Sequence, residues 1–197
     1  GVVHVPVPGF FTEAQRRHVF GAARVDTVIT PAPGWQRLPA PSSASPIGTV
    51  KITFTSGSTG TPKGVCLDRL ALLGVARGIA DATAALAIGR HLCALPLSIL
   101  LENVAGVYAP LVRGATIVAP ATAAVGLQGS SQFEPAVLDA AVRRERAQSV
   151  VLLPQMLRAW SAWLEATHGV APPSLRLVAV GGASVGAPAI DRARGVG

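Results

Sequence analysis

Acidic residues are scarce in this sequence. Ten Asp and Glu stand against 17 Lys and Arg, leaving a net charge of +7. A nucleic-acid surface groups its bases along one helix or stripe. Here only Arg143, Arg144 and Arg146 bunch, beside Glu145 on a predicted amphipathic helix, which is the pattern of a solvated helix face. No nucleic-acid partner is expected. Cysteine is scarce too: Cys66 and Cys93 lie in apolar surroundings with neither a Cys-x-x-Cys nor a Cys/His spacing. They read as two buried free thiols in a reducing compartment, not as a disulfide or a metal site. No basic-then-apolar leader opens the sequence. The longest uncharged run, Gly114 to Phe133, is broken by Pro120 and several glycines and makes a poor membrane span. A cytoplasmic location is the expectation. His4, His18, His91 and His168 show no mutual spacing for a dyad or a metal, and no Ser/His/Asp or Cys/His set, internal repeat or heptad is visible.

What is present is a hydrophobic half, 50% of the residues, in a chain of 197. That length suits one ordinary domain or a piece of a larger one. Val2 to Val7 predicts a strand, and Thr12 with Gln15 predicts a capping box for a helix reaching Ala23. Thr27 to Thr30 predicts a strand, and the Pro/Ser/Ala-rich stretch Pro31 to Pro46 a surface linker. Strands over Val50 to Thr55 and Val65 to Leu67 bracket a polar loop. Asp68 is placed to cap a helix to about Ala87, with Leu72, Val75, Ile79 and Leu86 as its buried stripe. Strands are then expected at Leu92 to Leu95, Thr116 to Ala119, Ser149 to Leu153 and Leu175 to Val180. Helices are expected at Leu100 to Arg113, from Pro135, and at Gln155 to Thr167. Such alternation indicates an α/β layered fold with a largely parallel sheet. Trp160 and Trp163 read as packing residues. The start on a strand-like run and the stop at Gly195–Val196–Gly197 suggest a segment of a longer protein.

The polar loop carries the chemistry. Thr53 to Leu67 reads Thr-Phe-Thr-Ser-Gly-Ser-Thr-Gly-Thr-Pro-Lys-Gly-Val-Cys-Leu. Gly57, Gly60 and Gly64 permit positive φ and let main-chain N–H groups converge. Thr55, Ser56, Ser58, Thr59 and Thr61 add hydroxyls, Lys63 a mobile positive charge, and Pro62 stiffness. This donor set suits a polyphosphate. It is not a Walker A loop, which needs Gly-Lys-Ser/Thr opening a helix; here the order is Pro62-Lys63-Gly64 and a strand follows.

The run Thr55 to Gly64 closely resembles the phosphate-binding signature of the adenylate-forming (AMP-binding) superfamily. That superfamily includes acyl- and aryl-CoA synthetases, peptide-synthetase adenylation domains and firefly luciferase. Leu95-Pro96-Leu97 with Asn103 and Gly106, Pro110 to Ala115, Pro154 to Leu157 and Gly181-Gly182-Ala183 agree in order and spacing. The likeness is nearest to acyl-CoA synthetases of the long-chain type. It implies an incomplete N-terminal AMP-binding domain over residues 1–197. Residues 1–46 would form a first βαβ part and linker, and 47–197 the phosphate-loop and adenine-side part. The C-terminal domain would be absent.

By this resemblance ATP activates a carboxylic acid, with Mg²⁺ screening the repulsion, and coenzyme A or an acyl carrier protein receives the acyl group. Thr55, Ser56, Gly57, Ser58, Thr59 and Gly60 would hold the β- and γ-phosphates, and Lys63 the departing pyrophosphate. Gly181, Gly182 and Ala183 would lie against adenine; on their own they read equally as an ordinary strand-to-helix turn. Ile99 stands where many members carry a histidine or aromatic residue facing the carboxylate pocket, so that gating role is in doubt while an apolar acyl chain suits it. Glu102 and Asn103 read as capping or exposed residues. The Glu that helps hold Mg²⁺, the ribose-binding Asp and the C-terminal catalytic Lys would follow Gly197, so this chain alone is expected to be inactive or nearly so. The rival readings are a non-catalytic nucleotide-binding module and an NAD-dependent oxidoreductase. The second lacks a Gly-x-Gly-x-x-Gly turn, because Ala183 falls where its second glycine belongs.

Overall fold

A capping box starts the first helix, α1 (Glu13–Ala22). The Thr12 hydroxyl accepts from the Gln15 N–H at 3.2 Å and the Gln15 carboxamide accepts from the Thr12 N–H at 2.9 Å. The computed structural model describes residues 2–30, 34–39, 45–55, 61–129 and 132–197. The chain divides into two units, Gly1–Leu72 and Leu73–Gly197.

In the first unit β1 (Thr27–Ile29) pairs antiparallel with β2 (Trp35–Arg37). The stretch expected to be a linker therefore contains a strand; residues 31–33 and 40–44 lie outside the described residues. Gly34 makes the return possible at φ 115°, a region closed to most side chains. The strand expected over Val2 to Val7 does not form. Only His4 bridges to Lys51, because Pro6 and Pro8 bring no N–H to a ladder. β3 (Thr49–Thr55) and β4 (Lys63–Asp68) form an antiparallel hairpin in which Thr55 faces Lys63. Cys66, on β4, is exposed, contrary to the expectation of two buried thiols.

Asp68 caps α2 (Arg69–Ala82) by accepting from the Ala71 N–H at 2.7 Å. The helix stops short of Ala87. Thr83 donates its hydroxyl back to the Ile79 carbonyl at 2.8 Å, and a 3₁₀ turn over Ala84–Leu86 ends in the left-handed Ala87. The buried stripe also differs from the expected one: Leu72, Ala76 and Ala80 are buried, whereas Val75 is 57% exposed.

The second unit follows the α/β alternation. It runs β5 (Arg90–Leu92), a π-wound helix over Glu102–Tyr108 continuing into α3 (Ala109–Val112), and β6 (Thr116–Val118). A small hairpin of β7 (Leu127–Gln128) and β8 (Gln132–Phe133) leads to α4 (Pro135–Glu145). Then come β9 (Ser149–Leu152), α5 (Pro154–Ala166), β10 (Leu177–Val180) and α6 (Ala187–Gly195). Four strands make a parallel sheet in the order β10-β9-β5-β6. Side chains alternate across it. Leu92 and Ala94 enter a core with Val150, Leu138 and Val142 of α4, and Met156, Trp160 and Leu164 of α5. His91 and Cys93 point to the opposite face, where Cys93 Sγ donates to the Gly106 carbonyl of the π-wound helix. Helices thus cover both faces, as the layered reading requires.

Pro135 and Pro154 open α4 and α5, where a missing N–H costs nothing. Trp160 is buried and donates its ring N–H to Asp139 at 3.2 Å, and Trp163 packs against the core. Arg143 and Arg144 sit on a solvated face paired with Asp139 and Glu145. No helix among the described residues is long and apolar enough to cross a membrane.

Candidate functional site

The hairpin β3–β4 presents the polar loop. Ser56, Gly57, Ser58, Thr59 and Gly60 lie outside the described residues; the backbone of Thr55 closes β3 and Lys63, exposed, opens β4. The exit from the loop is anchored from α1. His18 Nε2 donates to the Pro62 carbonyl at 2.9 Å, and the His18 ring meets Phe54 edge-on with centroids 6.5 Å apart. Pro62 is buried while its neighbour Lys63 is exposed, so a stiff, pinned residue precedes the mobile charge. Gly64 has a different reason from the one expected. Its φ is not positive; a Cβ there would stand 2.9 Å from Phe54 Cζ and 3.2 Å from Ile52 Cγ2. Glycine at 64 makes room for the Phe54 ring.

Deeper in the same unit, Lys51 is buried and His4 bridges to it. Burial lowers the pKa of both groups, and the Lys51 charge pushes His4 down further.

In the second unit the chain leaves β5 toward β6 on one side and later adds β9 and β10 on the other. The order therefore reverses between β5 and β9, and in open α/β sheets the ligand crevice lies at the carboxyl ends of the strands at such a point. Three segments project there: Leu95–Leu101 after β5, Leu153–Pro154 after β9, and Gly181–Gly182–Ala183 after β10. Gly181 donates its N–H to the Leu152 carbonyl at 3.2 Å, extending the β10–β9 ladder. A Cβ on Gly181 would lie 3.0 Å from Leu101 Cδ2, and one on Gly182 the same distance from Leu153 Cδ2. Gly182 also needs its φ of 89°. These glycines leave bare backbone at the strand ends, with Gly182 and Ala183 exposed. A flat heterocycle fits the exposed backbone, while the room a Cβ would need at Gly181 and Gly182 is taken by the Leu101 and Leu153 side chains.

Behind this rim lies a group of residues that the sequence reading misassigned. Glu102 is 0% exposed and Asn103 8%, so neither is a solvated cap residue. Glu102 accepts from the Leu95 N–H at 2.9 Å with one carboxylate oxygen and from His91 Nε2 at 3.0 Å with the other. His91 Nδ1 in turn meets Ser149 Oγ at 2.8 Å, across the β5–β9 pair. Burial, and then the charge of Glu102, push the Cys93 thiol far above its ordinary value. Ser149, His91 and Glu102 do form a row, contrary to the expectation of no such set. It is enclosed, however: His91, Glu102 and Ser149 are all buried, and the cavity bordering His91 and Ser149 measures only about 40 Å³. The available signal was one acid, Glu102, with Asn103 beside it, in a largely apolar run after Leu95-Pro96-Leu97.

The profile of the family described as AMP-binding enzyme matches residues 32–197. No curated protein matches the chain. Among solved structures, the chain is similar to apo MbtA of Mycobacterium smegmatis, at 24% identity and a TM-score of 0.60, covering 84% of this chain and 28% of that one. It is similar to the amide bond synthetase McbA of Marinactinospora thermotolerans, at 29% identity and a TM-score of 0.56, covering 80% and 29%. It also resembles the o-succinylbenzoate coenzyme A synthetase MenE of Bacillus subtilis, in a complex with AMP, at 23% identity and a TM-score of 0.55, covering 75% and 28%. The chain thus spans less than a third of the length of each of these structures. With the profile extending over most of its length and the layered α/β fold alongside, the chain belongs to the AMP-binding enzyme family.

Proposed function

We propose that the protein carrying this chain activates a carboxylic acid with ATP and transfers the acyl group to a thiol. In the first step a carboxylate oxygen attacks the α-phosphorus, the bond to the β-phosphate breaks, and pyrophosphate leaves. In the second the thiol sulfur attacks the acyl carbonyl and AMP leaves. The observation that carries this reading is the run Thr55 to Gly64, set between two antiparallel strands in a chain of this family.

Two anions must meet in the first step, so directed positive charge and donors decide the rate. Thr55, Ser56, Gly57, Ser58, Thr59 and Gly60 offer amides and hydroxyls for the β- and γ-phosphates. Lys63, exposed at the start of β4, offers its ammonium to the departing pyrophosphate. The pinned Pro62 limits where that ammonium swings. Gly181, Gly182 and Ala183 take the adenine, whose flat face needs backbone without side chains. Mg²⁺, when bound, supplies the remaining charge neutralisation at the triphosphate. An apolar residue at Ile99, packed against the core, favours an acid with an apolar chain, and coenzyme A is the acceptor thiol in this reading.

The test is calorimetry with Mg·ATP on the polypeptide carrying this chain, followed by ATP–pyrophosphate exchange across carboxylic acids of increasing chain length. Binding of Mg·ATP and acid-dependent exchange are expected. Failure to bind Mg·ATP with every acid present overturns the reading. Saturable binding without exchange would instead mark a non-catalytic nucleotide module, and protection by NAD but not by ATP an oxidoreductase.

A further inference from the structure

The carboxylate of Glu102 is the most enclosed acid in the described residues, and the mechanism above does not use it. A buried carboxylate is costly unless donors surround it. Here they come from two directions: the Leu95 N–H on one oxygen and the His91 ring on the other. The fit is close. A Cβ on Gly106 would fall on Glu102 Oε1 and 2.6 Å from His91 Nε2, so glycine at 106 is what admits the pair. The helix itself adapts, since Glu102–Tyr108 is π-wound and the Ala109 N–H reaches back to the Val104 carbonyl. π turns inside helices are frequent at functional sites.

The pairing determines where hydrogens sit. With Nε2 of His91 donating to the Glu102 carboxylate, Nδ1 is the ring atom left to accept from the Ser149 hydroxyl. The chain of bonds runs Ser149 to His91 to Glu102 to the Leu95 amide. It ties β9, β5 and the π-wound helix to the residue from which the crevice loop departs. The loop then turns at Pro96, with the Ile99 N–H on the Pro96 carbonyl at 2.9 Å, and returns as Leu101, whose side chain fills the space in front of Gly181.

We propose that Glu102 is a positioning residue: through the Leu95 amide and His91 it fixes the Leu95–Leu101 loop, and with it Ile99 and the Leu101–Gly181 contact at the proposed adenine side. The structural part stands on the geometry alone, and its consequence for turnover rests on the adenylation reading. A metal held by His91, Cys93 and Glu102 is the competing use of the same atoms, which all lie within 4.8 Å of one another. The bonds already made among them, and the space denied by the packing at Gly106, favour the hydrogen-bonded set.

Two variants decide it. In Glu102→Gln the amide oxygen keeps the Leu95 N–H, and the amide N–H donates to His91 Nε2, which forces the ring to carry its proton on Nδ1 and donate to Ser149. Nitrogen NMR of the His91 ring is therefore expected to show the Nε2–H tautomer in the parent and the Nδ1–H tautomer in the variant. Glu102→Met fills the volume without accepting, so the Leu95 and Ile99 amides are expected to exchange with solvent faster while Val151 and Leu152 of β9 keep their protection. In pyrophosphate exchange, kcat/KM for the acid is expected to fall by about tenfold or more in Glu102→Met, with Glu102→Gln restoring most of it. An Nδ1–H tautomer in the parent, unchanged exchange at Leu95 in Glu102→Met, or cobalt binding with a thiolate absorption band lost in Cys93→Ser overturns the assignment. Should Glu102→Met not fold, the tautomer switch in Glu102→Gln decides. Should the parent show no pyrophosphate exchange at all, the adenylation reading falls, while the tautomer and the amide protection still test Glu102.

Discussion

In β4 every residue but Leu67 is exposed, whereas all four residues of β9 are buried. Both are short strands in one chain, yet they answer to different constraints. β9 is held from both faces, and its run Ser149–Leu152 is dictated by packing. β4 is held by pairing with β3 and by its neighbours at the loop exit, and its side chains are largely released from packing. Chemistry is therefore displayed openly in the hairpin and is enclosed in the sheet. In the proposed reading the loop between β3 and β4 meets an anion, and the exposed residues of β4 beside it are free of packing duties. A crevice rim has to hold its shape beforehand, and there the polar groups are locked away behind it.

The difference is sharpest for the two thiols. Cys66 on β4 is expected to react with an aromatic disulfide reagent within minutes. Cys93 should react more slowly by at least about a thousandfold, because its labelling requires opening of the core. Equal rates would erase the contrast. Next comes the cost of truncation. Leu152→Ala in β9 is expected to destabilise by about 2–5 kcal/mol in denaturant unfolding, and Val65→Ala in β4 by only about 0.5 kcal/mol. Comparable losses would show that the hairpin is as tightly held as the sheet. Lys63→Ala is expected to lower pyrophosphate exchange by about 1.5–3 kcal/mol of transition-state stabilisation, the range for a charge-assisted bond, without moving the unfolding midpoint. A shifted midpoint would make Lys63 a structural residue. Thr12→Ala removes half of the capping box and is expected to cost about 1 kcal/mol, measured by thermal unfolding.

The smallest effect concerns His4. Its folded-state pKa lies below the ordinary 6.5, through burial first and the Lys51 charge second. Between the two values the unfolded chain binds more protons than the folded one, so stability rises with pH across that window. Stability is thus expected to decline as pH falls below 6.5, and His4→Asn should flatten that decline. A parent profile that is already flat over this range would remove histidine desolvation as a factor in the first unit.

Legibility followed the same division. The capping box at Thr12, the Asp68 cap, Pro135 as a helix opener, and the parallel sheet were all readable, because each rests on local chemistry or on simple alternation. The strand expected at Val2–Val7 was over-read: its apolar residues have the right period, but its prolines cannot donate. The strand Trp35–Arg37 was hidden in a stretch whose prolines and serines outweighed it. For the candidate site, the signature from Thr55 to Gly64 stands out in sequence because hydroxyls, glycines and a lysine are concentrated between two apolar runs. Glu102 did not stand out. A single acid in a helix normally means solvent, and only the return of the chain beneath β5 reveals its two donors, the Leu95 N–H and the His91 ring. Gly64 and Gly106 show the same limit, since the need for each comes from a neighbour distant in sequence or held by tertiary contacts.

The wide turn between Glu102 and Tyr108 has one more consequence. It holds one residue of slack, and the two halves of the helix are thereby free to serve separate masters. Ahead of it Glu102 answers to β5; behind it Arg113 reaches the Ala80 carbonyl at 2.8 Å. Deleting a single residue from 103–108 would let the coil rewind as an ordinary helix of about 3.6 residues per turn, with its two halves still close to their present partners. The segment is where this fold takes up an extra residue of length without turning either end of the helix away from its partners.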